Sequence, residues 1–488
     1  ILNNDLDEPA YSFTIQGICV DTEAPTFNSI TVPGAGAYVN GTEIFVFDVT
    51  DNVTIPPTVQ AKYGAYAWLT LTTGVTTLNS LTSWASIPEG AITIDFQAYD
   101  AIPNTSIANV NVIKDTIQPT VTINPPSSPI TLGGPITFNV NYFDVNFNNS
   151  SALDAGDITL NTTGTATGTI SVDGAAGTLR VVTINGITGD GTIGISIAAG
   201  TAVDLAGNLA VASGASTTFI VDNTAPTITI SAPSVSYAKN GTDVTFTVTY
   251  TDANFDNSSA LGGLITLNTT GTANGTVSVD GGTGATRVVT ISNITGDGTL
   301  GISIAAGSAV DQVGLTAPAS GASGTFTADN IQPTIGIGAP SLSYAKNGTD
   351  VTFTVTYTDT NFDNSSALDA GDITLNTTGT ATGTISVDAA TGATRVVTIS
   401  NITGDGTIGI SIAAGTAVDL TGLTALASGA SGTFTADNIQ PAIGIGAPSV
   451  SITQGGPVTF TVTYTDTNFA NSSALDAGDI TLNTTGTA

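Results

Sequence analysis

The sequence predicts an all-β chain of tandem seven-stranded sandwiches. Three observations predict it: a linker motif recurring about every hundred residues, segments with apolar residues at alternate positions, and no stretch with helical periodicity. The motif reads Asp-Thr-Glu-Ala-Pro-Thr at 21–26, Asp-Thr-Ile-Gln-Pro-Thr at 115–120 and Asp-Asn-Thr-Ala-Pro-Thr at 222–227. It returns as Asp-Asn-Ile-Gln-Pro-Thr at 329–334 and Asp-Asn-Ile-Gln-Pro-Ala at 437–442. A period of about a hundred residues is the size of one immunoglobulin-type sandwich and far longer than a helical solenoid unit.

The unit from 329 shows how each strand is read. In Val351-Thr-Phe-Thr-Val-Thr-Tyr357, Val351, Phe353, Val355 and Tyr357 fall on one face and threonines on the other, the pattern of a strand buried on one side. Further strands are expected at 335–337, 373–376, 383–387, 394–401, 407–413 and 433–436, making seven. Gly-Asp-Gly at 404–406 and Thr-Gly at 391–392 supply turn chemistry between them.

The repeat sets the domain map. Residues 19–114 form a divergent sandwich, and 115–221, 222–328 and 329–436 form three closely related ones. Residues 437–488 read as the first half of a further unit, and 1–18 as the final strand of a preceding domain, so both ends read as mid-array.

Composition narrows the function. The net charge is -31, with 7 basic against 38 acidic residues. So few basic residues cannot form the stripe that nucleic acid requires, and nucleic acid is excluded as a partner. With no histidine, the usual general base and imidazole metal ligands are missing, and no catalysis is expected. Cys19 is the only cysteine, which excludes an internal disulfide framework and reads as a buried thiol. No apolar run is long enough to cross a bilayer as a helix.

Three acids of each unit map to the pole where the chain enters a sandwich: one in the linker, one after the second strand and one before the last. They are Asp21, Asp51 and Asp100; Asp115, Asp144 and Asp204; Asp222, Asp252 and Asp311; and Asp329, Asp359 and Asp419, with Asp437 and Asp466 in the last unit. Carboxylates brought together repel unless a cation or hydrogen bonds intervene, and calcium takes hard oxygen ligands of this kind. Calcium at each junction is one reading; turn formation by each aspartate through its own backbone is the other. The run Asp359-Thr-Asn361-Phe-Asp363 reads as turn structure, because its last acid becomes Asn148 and Ala470 in sister units.

Other recurring residues read as structural. Arg180, Arg287 and Arg395 share one repeat position and are expected to be solvated charges that discourage strand-edge pairing. Trp68 and Trp84 are expected to pack in the divergent domain. Sequons at Asn161, Asn268, Asn376 and Asn483, and at Asn257, Asn364 and Asn471, read as chance triplets in a chain rich in Asn and Thr.

The linker, the Val-Thr-Phe-Thr-Val-Thr-Tyr-Thr-Asp strand and the run Gly-Asp-Gly-Thr-Ile-Gly-Ile-Ser-Ile-Ala-Ala-Gly-Thr-Ala-Val-Asp-Leu together resemble bacterial Ig-like repeats of very large surface adhesins. Thr-Ala-Val-Asp-Leu-Ala-Gly-Asn at 201–208 is similar to that family's close before the final strand, and the resemblance covers about residues 19–488. The opening Asn-Asn-Asp-Leu-Asp-Glu-Pro-Ala-Tyr-Ser-Phe-Thr-Ile-Gln-Gly resembles the end of a choice-of-anchor D domain. The resemblance implies secretion, attachment at the cell surface, a fibre-like shape and often calcium. The unit at 222–328 departs from it, with Leu-Gly-Gly-Leu at 261–264 and Asp311-Gln-Val-Gly-Leu in place of the usual sequences.

Short proline-containing linkers predict an elongated rod. The expected function is the stalk of a large adhesin or extracellular filament, with neighbouring domains as its partners. Filament chains or cell-surface glycans would be met by regions elsewhere. A self-assembling fibre or sheath subunit, or an accessory array on a secreted polysaccharide-active enzyme, are the other classes.

Overall fold

Alternation along the chain settles how each domain closes. In the computed structural model, residues 21–52, 55–102 and 104–485 are described; Cys19 and the strand expected at 1–18 lie outside them. Two compact units divide the chain, one running to Ala225 and including Asp311–Leu315, the other taking Pro226–Val310 and Thr316 onward.

In the second unit, the strand Val351–Thr358 buries Val351, Phe353, Val355 and Tyr357 and turns its threonines outward. Each such side chain contributes roughly 1.5–3 kcal/mol by leaving water. One sheet is ordered Thr334–Ile337, Val351–Thr358, Thr394–Thr403, Thr382–Val387. The facing sheet is ordered Tyr344–Ala345, Phe434–Ala436, Gly406–Ile412, Ile373–Thr377. Counting the seven main strands in chain order, the sheets hold strands one, two, five and four, and strands seven, six and three, which is the immunoglobulin constant-type arrangement. Phe353 and Phe434 meet across the core that the two sheets enclose.

Three short strands add to the expected seven. Tyr344–Ala345 leaves the first sheet to pair in parallel with the terminal strand Phe434–Ala436. Phe362–Asn364 pairs with Val418–Asp419 at the pole, which places Asp419. Pieces of two or three residues carry too few alternations to show a period. The repeats over 115–221 and 222–328 have the same two four-stranded sheets, with cores centred on Phe138 and Phe219, and on Phe246 and Phe326.

The domain over 21–114 differs. Among the described residues Thr26–Val32 pairs only with Val46–Thr50, while a five-stranded sheet carries Gly90–Tyr99 and Thr105–Lys114. The 3-10 turns Leu78–Ser80 and Trp84–Ser86 follow the five-stranded sheet's edge strand Leu69–Thr70, and their Leu78 and Trp84 are buried in the core. Trp68 is half-buried, with the Lys62 ammonium 4.7 Å from its ring. Residues 437–485 show one antiparallel pair, Ala442–Ile445 with Val462–Thr465, and exposed Ile443 and Ile445.

The three arginines are corrected by the structure. Arg395 belongs to an internal strand, shares the parity of Val397 and Ile399, and is only 3% exposed. Its Nε donates to Asp388 Oδ1 at 2.6 Å, its Nη2 to the Asp388 carbonyl, and its Nη1 to the Ser365 carbonyl. Arg180 with Asp173 and Ser150, and Arg287 with Asp280 and Ser258, repeat the arrangement. The guanidinium fork satisfies several acceptors at once, which makes its burial affordable. The hydrogen bond from Arg287 holds the Asp280 carboxyl below its ordinary range.

Arg395→Ala should destabilise its domain by about 2–4 kcal/mol, because it strands a carboxylate and a buried carbonyl. Arg395→Lys should recover little, since a point charge cannot reach all three acceptors. Hydrogen exchange across 394–403 is the measurement; protection unchanged in the alanine variant would show the clamp to be idle.

Candidate metal centre

The linker aspartate sits between two domains and is bonded to both. In the first unit, Asp115 N donates to the Val39 carbonyl of the preceding domain, and Asp115 Oδ2 accepts from Asn146 Nδ2 of its own at 2.7 Å. In the second unit, Asp329 N donates to the Ala238 carbonyl and Asp329 Oδ2 accepts from Asn361 Nδ2 at 2.8 Å. Asn330 fastens the linker again: its N donates to Asp297 Oδ1, its Nδ2 to the Gly296 carbonyl, and its Oδ1 accepts from Asn240 N. Lys239 Nζ reaches the Gly422 carbonyl of the following domain at 2.9 Å.

Around this fixed linker three carboxylates converge. One oxygen from each of Asp329, Asp359 and Asp419 lies within 4.8 Å of the others, and the same holds for Asp115, Asp144 and Asp204 and for Asp21, Asp51 and Asp100. Asp359 follows its strand, and its Oδ1 accepts from Asn361 N at 2.6 Å in an Asx turn. Asp419 Oδ1 accepts from Thr421 N, Thr421 Oγ1 and Leu423 N. Asp419 is 2% exposed and its Oδ2 has no partner.

Three like charges this close repel by about 3 kcal/mol per pair at an effective dielectric near 20. Burial, reinforced by Asp329, Asp419 and Asp297, raises the Asp359 carboxyl above its ordinary value despite the Asn361 bond. Burial with Asp115 and Asp204 does the same to Asp144. Among the described residues no lysine or arginine forms an ion pair with Asp329, Asp359 or Asp419. A buried, partnerless carboxylate oxygen beside two further carboxylates fits a hard divalent cation such as calcium. Asp329, Asp359 and Asp419 would hold it, leaving the remaining oxygens to backbone carbonyls and water.

The other acids are placed as follows. Asp222 and Asp311 belong to the first unit and Asp252 to the second. Locally, Asp222 Oδ1 accepts from Thr224 N, Asp252 Oδ1 from Asn254 N, and Asp311 Oδ1 from Val313 N and Leu315 N. Asp437 and Asp466 accept from Ile439 N and Asn468 N, with no third acid gathered to them among the described residues. Asp363 is exposed on its short strand while Phe362 stacks on Tyr357, so that run is turn and strand. The Asn161 and Asn376 amide nitrogens are buried, which closes those sequons to a glycan.

Two contributors escaped the sequence reading. The asparagine two residues after the second acid, Asn146 or Asn361, is the donor that ties the linker carboxylate down. The aspartate of the Gly-Asp-Gly turn, at 190, 297 or 405, accepts from the linker asparagine N at 2.6–2.7 Å. Both glycines of that turn have positive φ, and a Cβ on either 404 or 406 would collide with a Thr380 or Thr378 carbonyl.

No family model matches the chain, and no curated protein does. Similar solved structures include the Escherichia coli adhesin FdeC, 18% identical, covering 66% of this chain and 98% of that one, with a TM-score of 0.31. Cadherin domains 3–6 of protocadherin gamma B2 are 12% identical over 85% of this chain and 100% of that one, at 0.32. The I9–I11 tandem of titin is 11% identical over 65% and 99%, at 0.21. The strand order of the sandwich is the chain's own and rests on none of these likenesses.

In chelator-treated protein the raised carboxyls of Asp144 and Asp359 bind protons more readily folded than unfolded, so stability should rise as pH falls from neutral toward the ordinary aspartate value of 3.8. Near and below that value the depressed carboxyls of Glu89, Asp100, Asp173, Asp280 and Asp388 reverse the sign, because their contributions are lost as they protonate. Melting temperature against pH without metal checks this; a steady fall from neutral pH downward would count against the crowding.

Proposed function

We propose that the chain is the structural stalk of a large bacterial cell-surface adhesin or extracellular filament, stiffened by calcium at its domain junctions. The observation that carries the reading is the repeated junction. At Asp115 in the first unit and Asp329 in the second, the linker aspartate is hydrogen-bonded to the domain on each side and gathers two further carboxylates. A linker whose hydrogen bonds recur in this way suits a chain of linked domains, as repeat proteins stack nearest-neighbour interfaces.

The surface supports the same reading. Outward threonines and a net charge of -31 keep such an array soluble and attract divalent cations, while few basic residues leave polyanions unbound. An extracellular setting, where calcium is plentiful, suits a site of three carboxylates and few fixed ligands. Projection of a distal binding region away from a cell is the role this construction serves.

Two measurements test the proposal together. Calcium should raise the melting temperature by several degrees beyond an ionic-strength control, consistent with ligand linkage at concentrations well above Kd. Sedimentation velocity should give a monomer whose frictional ratio increases with calcium. Concentration-dependent assembly would favour a fibre subunit instead, and no calcium response in either measurement would remove the cation from the proposal.

A further inference from the structure

The loop after the third acid has one length in all four domains, yet its last residue differs. It runs from Asp100 to Asn104, Asp204 to Asn208, Asp311 to Leu315 and Asp419 to Leu423. The backbone is held alike: the N–H of Asn104, Asn208, Leu315 or Leu423 donates to Oδ1 of the aspartate four residues before it. Gly207 and Gly422 take the same left-handed turn, with φ of 86° and 78°. The side chain at the fourth position therefore leaves the same place in the repeats at 115–221 and 329–436.

What that side chain does follows its chemistry. Asn104 Nδ2 donates to Asp100 Oδ2 at 2.9 Å and to the Asp21 carbonyl. Asn208 Nδ2 donates to Asp204 Oδ2 at 2.7 Å and to the Asp115 carbonyl at 2.8 Å. Leucine has no donor, and in both leucine loops the corresponding oxygen, Asp311 Oδ2 or Asp419 Oδ2, is buried without a partner. In the cluster of Asp115, Asp144 and Asp204 no buried carboxylate oxygen lacks a partner; in that of Asp329, Asp359 and Asp419 one does.

We infer that the residue four positions after the third acid decides how that acid is closed: asparagine closes it with its own amide, and leucine leaves its free oxygen to a hard divalent cation. The inference rests on the cation reading of the same carboxylates. It divides the array into two kinds of joint. The joint at Asp115 has every buried carboxylate oxygen bonded by the protein itself, and the joint at Asp329 keeps one for the cation. The domain at 21–114 is a mixed case, because Asn104 closes Asp100 while Asp21 and Asp51 each keep a buried oxygen without a partner.

The experiment uses the full chain and calcium alone as probe, comparing wild type with Leu423→Asn and Asn208→Leu by equilibrium dialysis. Both positions are half-buried outside the hydrophobic cores, and the substitutions run in opposite directions, so misfolding of one variant leaves the other to decide. Leu423→Asn should lower the calcium bound per chain by one, and Asn208→Leu should raise it by one. Wild-type stoichiometry in both variants, with calcium still bound, would overturn the inference and leave the cation reading standing. Absence of calcium binding by the wild type would sink the cation reading itself, and this inference with it.

Discussion

The hydrogen bond from Asn361 to the linker carboxylate of Asp329 governs much of what surrounds it. It fixes a charged oxygen at the pole of a sandwich, where the loop geometry then delivers Asp359 and Asp419 to the same few ångströms. Every later property of the junction follows from managing that charge. The neighbouring domain contributes a backbone carbonyl to the linker aspartate N–H and an acidic turn to the next linker residue. A domain boundary that is usually a place of loose contact becomes a place of defined chemistry.

Much of this architecture could be read from the residues. The period of the linker motif and the alternation in Val351–Tyr357 gave the sandwich directly, because one buried face imposes a period of two. The acids of each cluster were also legible, since the sandwich topology brings three separated loops to one end. The short strands Phe362–Asn364 and Val418–Asp419 were not, because so few residues show no period. The arginines were misread for a different reason. Charge usually signals exposure, but Arg395 keeps the parity of Val397 and Ile399, and Asp388 seven residues earlier receives it. Partners distant in sequence, such as Ser365, gave no signal at all.

The divergent first domain shows how much of the plan is free to vary. It replaces two strands of one sheet by 3-10 turns and fills the space with Leu78 and Trp84, yet keeps Asp21, Asp51 and Asp100 together at its entry pole. The core tolerates a different packing solution as long as volume is filled, whereas the pole reproduces its three oxygens. The two parts of the domain answer to different constraints, one of volume and one of charge.

The parallel pairing of Tyr344–Ala345 with Phe434–Ala436 has a mechanical side. These strands lie near the points where the chain enters and leaves the domain, and they run in the same direction. Tension drawing the two ends apart slides one strand along the other, so the hydrogen bonds between them are loaded simultaneously. A hairpin peeled from its open end would instead surrender its bonds singly and at lower force.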